Sequence, residues 1–460
     1  MQFLFNRIHT TAIMVSAVLA MAVAVAHAEE SRKSAPLFDD LGSYRMAITT
    51  DAPLAQRYFD QGLILAYGFN HAEALRSFRE ARRLDPDCAM CAWGEAYVLG
   101  PNINKPMDPA DAPQAVAAAQ RAQTLAAQAS AREQAWIAAM SERYADPAPD
   151  DRQPLDQAYA DAMAGVVASY PDDLDAATLY AEALMDLMPW AYYTEDGEPK
   201  PLTETVTATL EGILARNTDH PGAIHFYIHA VEASSSPERA EDGADRLGAL
   251  APGSGHLVHM PSHIYLRVGR YHDATLANER AALADESYIT QCRVQGFYPA
   301  LYYPHNIHFL WYTASLEGRS AVAIEAARKL ADNVPVDLIA DVPLIEQFLT
   351  VPMFGQIRFA RWDDVLAEPK PRKDHRFATA MWHAARGIAL AAKGMSEQAQ
   401  AERAAYAEAA TAYGPDAYEK YGYPADVLLR IAGSLLDAGI AGDAGNDAAM
   451  FTALEQAVAL

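Results

Sequence analysis

The sequence predicts an all-α fold, an α-solenoid of about eight to nine helical hairpins carrying aromatic-rich insertions. Three observations predict it. Small and apolar residues recur at a period of about 34 residues. The segments between these copies carry apolar residues three and four apart, and no stretch alternates strictly enough to make a strand ladder. At 460 residues a compact fold would ordinarily divide, whereas stacked hairpins bury their core between neighbours and need no linker. A single helical-repeat domain over residues 29–460 is expected.

Residues 1–28 read as an export signal. Arg7 gives a positive n-region, AIMVSAVLAMAVAVA is an apolar run too short to span a membrane comfortably, and Ala26-His27-Ala28 forms an A-x-A cleavage site. The expected mature chain begins at Glu29 and is periplasmic or secreted. No later stretch approaches the roughly twenty apolar residues of a membrane helix, so no membrane span is expected.

The first hairpin is the cleanest. Counting from Ala55, YFDQGLILAYGFNHAEALRSFREARRLDPD places Gly62 at position 8, Ala74 at 20, Phe78 at 24, Ala81 at 27 and Pro86 at 32. Small residues at 8 and 20 let two helices approach, Phe78 fills the groove between them, and Pro86 stops the second helix. This pattern resembles a tetratricopeptide repeat. The spacing returns with Ala240 and Pro252, with Ala323 and Pro335, and with Gly387 and Ala399. AREQAWIAAMSERY, LDQAYADAMAGVVASY, LDAATLYAEALMDLM and TETVTATLEGILARN continue the helical period more weakly. Insertions interrupt it at residues 145–154, 189–202 and 287–303, the last two rich in aromatic residues. AGIAGDAGNDAAM reads as a loop before a final capping helix, FTALEQAVAL.

A net charge of −24 makes nucleic acid and anionic membranes poor partners. There are three cysteines. Cys88 and Cys91 form a C-x-x-C that lacks the βαβ context of a thioredoxin centre and the following histidine of a haem attachment site. An exported chain favours a local disulfide for this pair, and thiolate ligation of a metal is the other reading.

The histidines carry the functional signal. Of 14 in the chain, His9 and His27 lie in the leader, and nine of the remaining 12 fall between His220 and His308. Registers begun at Pro221, Gly255 and Pro304 place His225, His259 and His308 at position 5, and His229, His263 and Tyr312 at position 9. The tetratricopeptide resemblance implies that positions 2, 5, 9 and 12 line a concave groove, which adds Glu232, His256 and His305, and that these positions stay partly open. Helix geometry agrees: His225, His229 and Glu232 share a face at i, i+4 and i+7, as do His256, His259 and His263 at i, i+3 and i+7. Pro261 should disturb that second face, starting its helix near Met260 and leaving His256 and His259 on a distorted turn or loop.

An i, i+4 histidine pair chelates a transition metal, and ligands from a neighbouring helix complete the shell. The expected metal ligands are His225, His229, His259, His263 and His308, holding zinc or copper. HFYIH lacks the glutamate of a zincin, so any catalytic base comes from elsewhere: Glu232, Glu182 or Asp186, with Tyr312 as a further catalytic candidate. The reading is an exported helical-repeat protein with a histidine-rich pocket for a divalent transition metal, open to a small-molecule or short peptide ligand and a candidate metal-dependent enzyme on a small substrate. The other reading is a non-catalytic scaffold that binds a peptide or protein partner along the groove.

Overall fold

The computed structural model describes residues 35–292, 298–414, 418 and 423–460. The leader lies outside the described residues, as does part of the third insertion. Among the described residues there are about 20 helices and no strand, only the isolated bridges Asn102–Lys105 and Tyr193–Pro199. No described helix is long and apolar enough to cross a membrane. The chain divides into two compact units between Ile264 and Tyr265.

The first unit pairs α1 (Pro53–Tyr67) with α2 (His71–Leu84), α3 (Ala89–Leu99) with α4 (Ala112–Leu125), and α5 (Ala131–Ser141) with α6 (Gln153–Ser169). Next come α7 (Leu174–Asp186) with α8 (Pro201–Leu214), then α9 (Pro221–Val231) with α10 (Glu241–Leu250). The short α11 (Gly255–His259) leads into α12 (Pro261–Arg267), within which the unit ends. Local chemistry sets the starts. Asn70, Asp173 and His220 each accept a backbone N–H in the first turn of α2, α7 and α9, and Ser130 and Glu133 form a capping box on α5. Proline occupies the first turn of α1, α8 and α9, where its missing N–H costs nothing.

The repeat positions pack as the 34-residue register requires. Phe78 is fully buried, and a Cβ added at Gly62 would lie 2.7 Å from its ring, so the glycine is what lets α1 sit on α2. Ala74, Ala240, Ala323 and Ala399 are also buried, and a Cβ on Gly387 would meet Leu436 at 2.5 Å. The sulfurs of Cys88 and Cys91 are 2.07 Å apart, a disulfide at the start of α3, where Cys88 Sγ also accepts the Cys91 N–H at 3.0 Å. Both cysteines are buried.

In one respect the first unit departs from a simple array. Each repeat of a solenoid touches only its neighbours, yet α9 packs against α1 as well as against α7 and α8. A Cβ at Gly222 would lie 2.7 Å from the Tyr67 ring, which shows how closely these two helices approach.

A helix does begin at Pro261, close to the expected start near Met260, but the residues before it are more regular than expected. Gly255–His259 is helical, and Met260 keeps right-handed helical backbone (φ −51°, ψ −36°). The proline opens α12 as a first-turn residue, where it removes no needed hydrogen bond, so His256 and His259 stand on a short helix and not on a loop.

The second unit contains α13 (Tyr271–Cys292), α14 (Tyr303–Glu317), α15 (Ser320–Asp332), α16 (Val351–Arg358), α17 (Trp362–Ala367), α18 (Arg376–Ala392), α19 (Ser396–Ala412), α20 (Ala425–Asp443) and α21 (Asp447–Val458). Ile307, Leu330 and Phe348 belong to one of its cores, and Phe377, Tyr406 and Leu436 to another. The stretch AGIAGD, expected as loop, is helical: it forms the last turns of α20, where Leu436 and Ala438 are buried, and α21 follows as the final helix.

Phe78→Ala would empty the space between α1 and α2. It is expected to lower unfolding free energy by about 3–5 kcal/mol in denaturant titration; a change below about 1 kcal/mol would mean that Phe78 is not the wedge between these helices.

Candidate metal centre

Helix α9 carries HFYIH with both imidazoles turned inward, and its start is pinned from three sides. His220 accepts the Ala223 N–H on Nδ1 at 3.2 Å, which leaves Nε2–H to face Tyr44 Oη at 2.9 Å and Thr178 Oγ1 at 3.2 Å. Tyr44 and Tyr67 both donate to Asp175 Oδ1, at 2.9 and 2.7 Å. This buried cluster ties α1, α7 and α9 together, and the histidines of α9 take their positions from it.

His225 Nδ1 lies 2.5 Å from the carbonyl oxygen of Tyr67. A carbonyl only accepts, so the proton is on Nδ1 and Nε2 is left with its lone pair. His225 Nε2 points at His256 Nε2, 3.1 Å away on α11. His229 Nδ1 donates to Glu232 Oε1 at 2.9 Å, and its Nε2, buried, has no hydrogen-bond partner among the described residues. One ligand atom from each of His225, His229 and His256 lies within 4.8 Å of the others. On α12, His263 Nδ1 donates to Glu232 Oε2 at 2.6 Å, and its Nε2 is 2.9 Å from His259 Nε2.

Burial holds the His225 imidazole well below its usual pKa, and His229 beside it acts the same way. Burial also lowers His229, against the pull of Glu232. Both are therefore neutral, ligand-competent imidazoles at neutral pH. Burial disfavours the charge on Glu232, but His263 and His229 outweigh it and hold the carboxyl well below the usual carboxylate range. Each histidine that carries a hydrogen bond on Nδ1 to a carbonyl or carboxylate matches the way metal-ligating histidines are oriented.

Two aromatic residues complete the surroundings. Phe69 packs its ring 4.6 Å from His225 and 5.6 Å from His256, and Trp190 sits edge-on to His229 at 5.0 Å while half exposed. Both have left-handed backbone, φ 56° and 61°. Such conformations are uncommon for bulky residues and persist where packing imposes them. Tyr193, which pairs with Pro199, donates to the Ala230 carbonyl at 2.7 Å and so anchors the 189–202 insertion on α9.

The sequence-derived ligands are thus divided. His225, His229, His259 and His263 are all buried in the first unit, so the expectation of an open groove does not hold: Phe69 and Trp190 occupy that space. His308 belongs to the second unit, where it stacks on Trp311 at 5.3 Å and meets Phe348 at 5.5 Å. The third imidazole beside His225 and His229 is His256, a groove position that is not in the expected ligand set, whereas His259, on the same turn before Pro261, is. The signal for His256 was present in the sequence as position 2 of the Gly255 register.

The catalytic candidates also separate. Both oxygens of Glu232 are engaged by histidine N–H groups, which suits an orienting carboxylate better than a base. Glu182 accepts from Tyr97 Oη at 2.6 Å, and burial pushes its pKa up to about 7 against the pull of Arg143. Asp186 pairs with Arg143 at 3.1 Å, and burial beside Glu182 raises it well above the usual range. Tyr312 is 45% exposed, in the second unit.

No known family profile matches the sequence, and no curated protein matches it. Solved structures with similar architecture include the human IFIT1 dimer with m7Gppp-AAAA, 12% identical with a TM-score of 0.37 over 89% of this chain and 91% of that one. The Cut9-Hcn1 hetero-tetramer of APC/C is 13% identical, with a TM-score of 0.34 over 89% and 74%. Yeast Tom70 is 9% identical, with a TM-score of 0.31 over 88% and 89%. The likeness is one of helical-repeat architecture alone.

The His308 ring tests the placement in the second unit. Burial lowers its pKa from 6.5 to about 4. The folded value lies below the unfolded one, so its stabilising contribution is complete above about pH 6.5 and is lost as pH falls towards 4. Wild type should therefore lose roughly 2 kcal/mol relative to His308→Leu across that window, read as the difference between their unfolding curves. Parallel pH profiles would contradict the packing.

Proposed function

We propose that this chain is a binding protein of the helical-repeat kind whose first unit holds a divalent transition metal, zinc or copper, on His225, His229 and His256. One observation carries the reading: three buried imidazoles bring their ligand atoms within 4.8 Å of one another, and one of them, His229, has a buried Nε2 with no partner among the described residues. A buried polar atom without a partner costs about 1–3 kcal/mol, and a metal ion would remove that cost. Three nitrogen ligands leave a fourth tetrahedral position for water or a ligand's donor atom. Burial of the site favours a small ligand at that position, while the helical-repeat fold supports a protein or peptide partner elsewhere on the chain.

A hydrolytic role is not favoured, because Glu232 is committed to two histidines and Glu182 to Tyr97. Export to the periplasm, argued from the A-x-A site, fits a disulfide at Cys88–Cys91.

Protein purified without chelators should contain zinc or copper by elemental analysis, and removing it should lower the melting temperature. His229→Ala should reduce bound metal at least tenfold at micromolar metal. His272→Ala, whose exposed ring pairs with Glu317 at 2.6 Å, should not. Metal-free protein whose stability does not respond to added zinc or copper would leave the scaffold role without a metal.

A further inference from the structure

We propose that the first unit holds a second transition-metal ion on His259 and His263, beside the ion on His225, His229 and His256, so that the centre is dinuclear. The proposal rests on the reading of those three histidines as ligands. Two imidazole nitrogens bound to one tetrahedral ion at about 2.0–2.1 Å stand about 3.3 Å apart. The Nε2 atoms of His259 and His263 are separated by 2.9 Å and those of His225 and His256 by 3.1 Å, so each pair has the spacing of ligands that share an ion.

Capacity argues for two ions. A tetrahedral ion takes four ligands, and five buried histidines meet here. Ligand atoms divide them: those of His225, His229 and His256 gather within 4.8 Å of one another, and the Nε2 atoms of His259 and His263 close on each other at 2.9 Å. The rings themselves are contiguous, with centroids 4.8 Å apart for His259 and His263, 6.2 Å for His229 and His256, and 5.7 and 5.9 Å for His229–His263 and His256–His259. Two-metal sites hold their ions roughly 3.5–4 Å apart.

Glu232 joins the two sets. One oxygen accepts from His229 Nδ1 at 2.9 Å and the other from His263 Nδ1 at 2.6 Å, so a single carboxylate orients a ligand of each ion. The electrostatics then indicate what else binds. Two divalent ions with neutral imidazoles and one carboxylate leave a buried positive charge, which a small oxygen anion between the ions would offset. Hydroxide is the simplest such anion: ionisation of a water molecule would supply it, with the proton released to buffer.

The test is a titration of chelator-stripped full chain with Co(II), followed by d–d absorption and checked by elemental analysis after gel filtration. Wild type should saturate at two equivalents, while His263→Gln and His259→Gln, confirmed folded by circular dichroism, should saturate at one. A wild-type endpoint of one equivalent overturns the dinuclear centre and leaves the three-histidine site standing. No binding overturns both. A folded His263→Gln that still takes two equivalents overturns the assignment of the second ion to His259 and His263. If both variants fail to fold, the wild-type endpoint alone decides.

Discussion

The contact between Tyr67 and α9 is the constraint on which the histidine centre depends. Tyr67 closes α1, its hydroxyl donates to Asp175 on α7, its ring fills the space that Gly222 leaves open, and its carbonyl accepts from His225 Nδ1. One residue thus couples helix packing to the tautomer of a ligand. Without α9 against α1, His225 would have neither a fixed proton nor a fixed direction. The same approach brings Phe69 onto the imidazoles, and its left-handed backbone is held by that packing.

Burial then converts a groove into a centre. Exposed histidines on a helical face would be hydrated and would titrate near their ordinary value. Here burial depresses His225 and His229, keeps them neutral and leaves lone pairs where water does not reach. An ion pair would not serve this purpose, since buried charges are stable only with partners. Glu232 instead stays a hydrogen-bonded carboxylate, shared between His229 and His263.

Much of the fold was legible because it is local. Gly62, Ala74 and Phe78 are spaced by the helix and the 34-residue period, and their burial follows from that spacing alone. The i, i+4 pair His225 and His229 was legible for the same reason. His256 was legible as a groove position but not as the partner of His225, because their pairing is a contact between two helices and not a spacing within one. The closed groove and the place of His308 were not legible, since both depend on contacts far apart in sequence: His225 meets Tyr67 across 158 positions. A repeat register states which face a residue takes, and it does not state what that face will meet.

X-ray absorption at the metal edge of zinc-loaded protein tests the central claim most directly. The account predicts a nitrogen/oxygen first shell at about 2.0–2.1 Å with imidazole multiple scattering from about three histidines per first ion. A sulfur shell near 2.3 Å, or oxygen ligands with no imidazole signal, would place the metal elsewhere and contradict it.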